Sequence, residues 1–202
     1  MGVQTTTSIP QVPSGVITTT TPARSSTSVQ HALPQSQVAA QLKISGTVIA
    51  GGPLSQSTIA AVNAAAAKTP SQWRRYIAYQ GEVKVGGSLA WRANNPGNLR
   101  GASTKIGSVT GAVETFAVFA TLDDGRAAQR ALYLDKYGAM SVRDAINKLT
   151  PPSENDTAKY LAELKNAGVD LDKDVKSQID VLMPAVAANE GLITGTVVKR
   201  TP

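Results

Sequence analysis

Hydrophobic and polar positions divide this 202-residue chain at about residue 70. Residues 1–40 are rich in Thr, Ser, Gln and Pro, as in Thr5-Thr6-Thr7 and Thr18 to Thr21. Such a segment lacks the apolar surface needed to fold by itself, although Thr and Val favour extended backbone. Two readings stand open for it: an arm that orders on a partner's surface, threaded between neighbouring subunits of an assembly, or a flexible tail. Leu42 to Ala50 is a short strand candidate, ended by Gly51-Gly52-Pro53. An Ala-rich helix follows, from a cap at Ser55 or Ser57 to about Lys68, with Ile59 and Val62 as its only large apolar groups. High propensity with little to bury describes a connecting or docking helix. Thr69-Pro70 stops it.

From Ser71 the pattern changes. Trp73, Tyr76 and Ile77 share one face if a short helix starts at Ser71. Residues 81–120 are glycine-rich and predict short β pieces, the last being Thr115 to Phe119. Four helical stretches follow. Thr121 with Asp124 at capping-box spacing opens the first, which has Ala127, Ala128, Ala131 and Leu132 inward and ends at Gly138. Ser141 with Asp144 opens the second, with Val142, Ala145, Ile146 and Leu149 inward. Ser153 with Asp156 opens the third, which carries Leu161, Leu164 and Ala167 to Gly168. The fourth runs from about Asp172 to Glu190, with Val175, Ile179, Leu182, Met183 and Val186 inward, an interruption at Pro184, and Gly191 as its left-handed end. These elements predict a mainly α domain over 71–192 with a short β/loop region. The arm 1–40 and a strand-plus-helix connector 41–70 precede it, and a tail 193–202 follows.

Charge sharpens the division. The first 70 residues hold three formal charges, Arg24, Lys43 and Lys68, and all 14 acidic residues lie from Glu82 onward. The net charge of +6 suits polyanionic surroundings. No Lys/Arg run exceeds two residues, which argues against a nucleic-acid backbone as partner. The chain has no Cys, which excludes disulfides, thiolate nucleophiles and zinc–cysteine sites. No apolar stretch approaches the length of a membrane span, and the N-terminus lacks the basic start and apolar core of a secretory signal.

His31, the only histidine, lies in the arm. Serine–histidine–acid catalysis therefore has no base in the compact part, and histidine-rich metal sites are excluded. Asp170, Asp172 and Asp174 match calcium-loop spacing at three positions only, without the Gly and the distal Glu, and read as a solvated helix start. No phosphate-binding glycine loop is present, so neither metal nor cofactor is expected. Bond cleavage here would run on carboxylates, for which glycosidic cleavage is the standard reaction. Glu190 continues the Leu182–Val186 stripe at the negative end of its helix, a setting that raises a carboxyl pKa toward that of a general acid. The alternative is a solvated Glu at a fraying helix end. Glu82 follows Gln80-Gly81 and points either into a cleft or to water, and Glu114 flanks the Thr115 strand with the same two options.

The segment Ala93-Asn94-Asn95-Pro96-Gly97-Asn98-Leu99-Arg100 is the most distinctive in the chain. Pro96-Gly97 sets a tight turn. Asn94, Asn95 and Asn98 offer amides suited to sugar hydroxyl and acetamido groups. Arg100 can pair with an acid on a ligand or on the protein, and Trp91 can stack on a sugar ring. Equally, the Asn side chains can cap their own turn, with Trp91 in the core.

This loop resembles that of a family of small bacteriophage virion proteins, structural or lytic-transglycosylase-like. Further matching pieces follow in order: Phe116-Ala117-Val118-Phe119, Gly125-Arg126-Ala127, Tyr137-Gly138 with Ser141-Val142, Pro151-Pro152-Ser153-Glu154-Asn155-Asp156-Thr157 with Tyr160, and Asn189-Glu190-Gly191. Together they span about residues 76–192. The resemblance implies a lysozyme-like domain that meets bacterial peptidoglycan in the periplasm during viral genome ejection. In it a single Glu at a helix end, here Glu190, protonates the glycosidic oxygen, while Asn95, Asn98 and Arg100 orient the glycan. The substrate's own 6-hydroxyl closes a 1,6-anhydro ring, so a second carboxylate such as Glu82 is not required. Family members carry His before the Glu and Asn after it, where this chain has Asn189 and Gly191. Trp-Ala before Pro-Pro is replaced by Leu149-Thr150. These departures leave room for a non-catalytic virion protein present in many copies, anchored to other virion proteins through its arm.

Overall fold

The computed structural model describes residues 41–153 and 156–202. The expected arm, with His31, lies outside the described residues. In chain order the elements are β1 (Ser45–Val48), α1 (Gln56–Ala67), a 3-10 turn (Ser71–Trp73), β2 (Arg75–Ala78), β3 (Glu82–Val85), α2 (Leu89–Arg92), β4 (Gly107–Thr110), β5 (Thr115–Val118), α3 (Leu122–Tyr137), α4 (Val142–Leu149), α5 (Thr157–Asn166), α6 (Val175–Asn189) and β6 (Thr196–Lys199). No helix among the described residues is long and apolar enough to cross a membrane.

The fold is mixed α/β with more helix than strand, which agrees in part with the expectation of a mainly α domain with a short β region. One sheet has the order β1-β2-β3-β6, and β4 and β5 form a separate hairpin. β1 and β2 run parallel, so their connection must cross over, and α1 makes that crossing. β3 pairs antiparallel with β2 on one side and with β6 on the other. Residues 41–70 thus form the expected strand and connecting helix, whereas 193–202, expected as a tail, supplies the strand β6. Each strand is four residues long, too short for an alternating pattern to stand out.

The segment 71–80, open between helix and other structure in the sequence, is a 3-10 turn at Ser71–Trp73 followed by the strand β2. Tyr76 and Ala78 pack with Val62 and Ala66 of α1 and with Val83 and Val85, whereas Ile77 and Tyr79 pack with Ala93 and Val118. Alternation to opposite faces is strand behaviour. Because both faces are covered, the segment is apolar at consecutive positions, which imitates a helical face in a short window.

The helices end where their capping residues stand. Ser55 caps α1, Thr121 and Asp124 form the full capping box of α3, and Ser141 caps α4. Asp156, not Ser153, caps α5, and Asp174 caps α6. Gly168 and Gly191 take left-handed backbone just beyond α5 and α6. Helices α3 to α6 enclose the largest core cluster, built on Tyr133, Ile146, Leu164, Val175, Leu182 and Val186. The inner face of α3 is Gly125, Gln129 and Tyr133, while Ala127 and Ala131 are exposed. Ala128 and Leu132 point inward as expected, against Leu99, Ala117 and Phe119, so the inner face is shifted only in part, where the helix rests on the Asn-rich loop. A Cβ at Gly125 would overlap the Asn94 carbonyl oxygen, and Gly97 lies against the Gln129 side chain.

Candidate functional site

The loop after α2 is built by its own amides. Ser88 caps α2, whose short run buries Ala90, Trp91 and Arg92. Asn94 and Asn98 then adopt left-handed backbone, with φ of 55° and 48°. Among residues with a side chain beyond Cβ, Asn tolerates this region best. The Asn94 side chain donates to the carbonyls of Phe119 and Ala120, each at 3.0 Å, and its oxygen accepts from Lys84 Nζ. Asn95 donates to the carbonyls of Leu99 and Ala117, each at 2.9 Å, and accepts from the Leu99 N–H at 2.8 Å. Both amides are spent on fastening the loop to the end of β5.

Asn98 is the amide left to face outward. Its Nδ2 donates to Glu190 Oε2 at 2.7 Å. Glu190 stands at the C-terminal cap of α6, and Gly191 turns the chain away behind it. The Tyr160 hydroxyl, from α5, donates to the other carboxylate oxygen, Oε1, at 3.0 Å. Glu190 is thus held from the loop and from α5 at once. Burial, and next the Glu190 charge, push the Tyr160 phenol well above its usual range, so it stays a donor. Burial foremost, reinforced by the Glu190 charge, pushes Tyr133 up to about 12.

These groups border a cleft of about 450 Å³ between the loop, β5 and helices α3 to α6. Arg100, Glu114 and Lys148 line it as well. Arg100 grips Glu114 through both Nε, at 2.9 Å from Oε2, and Nη2, the paired geometry a guanidinium offers a carboxylate. The cleft therefore offers one carboxylate held by neutral donors and one neutralised by a guanidinium, with Lys148 near them.

Of the residues singled out from the sequence, Glu190, Asn98, Arg100 and Glu114 come together here. Glu82, Trp91 and Asn95 do not. Glu82 opens β3, opposite Lys199 of β6, and pairs with its ammonium at 3.3 Å, so it is not part of the cleft. Trp91 is buried, with Lys84 Nζ 4.7 Å from its ring centroid, and offers no face for stacking a sugar. Asn95 has no exposed surface and serves the fold. Tyr160, Tyr133 and Lys148 were not singled out as site residues. Tyr160 stood within the matching pieces, but nothing in a linear pattern ties its hydroxyl to a residue 30 positions later.

No protein-family model matches the chain, and no curated protein matches it.

Proposed function

We propose that this chain is a phage virion protein directed at bacterial peptidoglycan, with Glu190 as the single general acid and base of a lytic transglycosylase. The observation that carries the reading is the Glu190 carboxylate, held between Asn98 Nδ2 at 2.7 Å and the Tyr160 hydroxyl at 3.0 Å in a cleft of about 450 Å³. In the proposed reaction the protonated Glu190 gives its proton to the oxygen of the MurNAc–GlcNAc bond as the C1–O bond breaks. Its carboxylate then takes the proton from the substrate's 6-hydroxyl as O6 bonds to C1, closing the anhydro ring and restoring the acid. No water enters and one carboxylate suffices. The state of Glu114 favours this scheme over one with two carboxylates, because Arg100 occupies both of its oxygens. Action in the periplasm from the virion, and attachment to other virion proteins through the arm, belong to the same proposal.

A second reading has support in the same contacts. Both Glu190 oxygens are satisfied within the protein, which also fits a structural tie in a non-catalytic, wall-binding virion protein. Digestion of purified peptidoglycan separates the two, with products read by mass. The catalytic reading expects anhydro-muropeptides from the intact protein, none from Glu190→Gln, and unchanged yield from Glu82→Gln. Reducing-end products would point to a hydrolase and to Glu114 as its second carboxylate. No products, with sedimentation on the wall retained, would establish the structural reading.

A further inference from the structure

A second pocket, of about 380 Å³, opens between β1 at the edge of the sheet, the 3-10 turn and the β4–β5 hairpin. It shares no lining residue with the Glu190 cleft: Thr110 and Gly111 border the one, Glu114 and Phe116 the other. Its charged lining is Arg75 and Arg92, and no Asp or Glu is among the residues that line it. Gln72, Ser45, Thr47 and Thr110 add neutral polar groups.

Arg92 is an unusual residue to find so placed. It is 5% exposed, and a buried guanidinium ordinarily has a carboxylate partner. Here Nη1 donates to the carbonyls of Gly86, at 3.1 Å, and Gly87. Nε is buried with no partner, and Nη2 makes no hydrogen bond among the described residues. Arg75 forms no ion pair among the described residues either. Burial first, and then the Arg75 charge, lower the Arg92 pKa to about 10. A negative group between the two would offset both penalties and complete the fork of the guanidinium.

We infer that this pocket is an oxyanion-binding site, in which Arg92 and Arg75 grip a carboxylate or phosphate group carried by a ligand. The site is independent of the cleavage reading, since none of its residues belongs to the cleft.

The test is an NMR titration of the full chain at constant ionic strength, with inorganic phosphate in one arm and acetate in the other. The Arg92 Nε–H resonance and the Thr110 and Gly111 amides report on the pocket. Saturable shifts with phosphate identify a phosphate site, and saturable shifts with acetate identify a carboxylate site. Arg75→Ala changes an exposed strand position and should weaken the binding about tenfold while the remaining spectrum stays in place. Absence of saturation with both anions would overturn the inference. So would equal binding by Arg75→Ala, which would move the shifts to some other cation.

Discussion

Asn95 and Asn98 are the same residue type three positions apart, yet the fold uses them in opposite ways. Asn95 is fully buried, its amide donating to two carbonyls and accepting from one N–H. Asn98 is half-buried, with its amide on the Glu190 carboxylate. Asn95→Asp would turn a donor into a negative oxygen against the Leu99 and Ala117 carbonyls. The expected cost is on the order of 3 kcal/mol in urea unfolding at neutral pH, easing at low pH where the acid regains a proton to donate. Asn98→Ala should cost only about 1 kcal/mol, from its left-handed backbone and one lost hydrogen bond. Equal costs would mean that the loop depends on Asn98 as much as on Asn95. The same contrast explains why the linear pattern could not rank the three asparagines. All suit a turn, and their partners at Phe119, Ala117 and Glu190 are 22 to 92 positions away.

Among the elements, α3 shows how the loop and the helices hold one another. Its first turn presses on the loop at Gly125, where a Cβ would overlap the Asn94 carbonyl oxygen. In an unobstructed helix, Gly→Ala stabilises by about 1 kcal/mol. At Gly125 the sign should reverse. Separation of α3 from the loop is expected to cost about 3 kcal/mol in denaturant unfolding, and Asn98 would withdraw from Glu190. A Gly125→Ala protein more stable than the parent would disprove this packing. Helix ends were the most legible feature of the sequence, because caps are local: Thr121 with Asp124, Ser141 and Gly191 stand where the chain alone puts them, and Ser55 is one of the two caps it offers α1. Orientation was less legible. The inner face of α3 follows Gly125 and Gln129, which apolar periodicity passes over, because the surface they meet is a polar loop and not a hydrophobic layer. Strands were legible in part: β1 and β5 fall inside the expected Leu42–Ala50 and Thr115–Phe119 segments, whereas β2, which buries residues on both faces, does not read as a strand. The charge pairing of Glu82 with Lys199 needs a strand that reads as a tail. Of the cleft, Glu190 was legible from its stripe, but Tyr160 becomes visible only when α5 packs on α6.

At the scale of the molecule, the end of the chain closes the sheet. β6 covers the edge of β3, and the Ser88 and Ile193 backbones are joined at 2.9 Å and, through Ser88 Oγ, at 3.1 Å. Arg200 donates to the carbonyls of Ala50, Gly51, Gly52, Pro53 and Tyr79, at 2.7 to 3.0 Å. Thr201 binds Ser55 and Thr58 at the start of α1. One guanidinium thus fixes the turn after β1 against the β2–β3 turn, so the β1–α1–β2 crossover depends on the last residues of the sequence. Hydrogen bonds from a charged donor each contribute about 1.5–3 kcal/mol in gross terms, with solvent reducing the sum at a half-exposed site. Arg200→Ala should therefore destabilise by about 2 kcal/mol, lowering Tm by roughly 4–8 °C for a chain of this size. Hydrogen exchange should quicken first in β1 and the Gly51–Pro53 turn, then in β3. The Leu164–Leu182 core of the helices should keep its protection in Arg200→Ala, because its contacts lie among α3 to α6. Equal loss of protection in both regions would mean that the sheet and the helices open as one unit, and that the Glu190 cleft, whose walls are the loop and those helices, depends on the C-terminal strand for its shape.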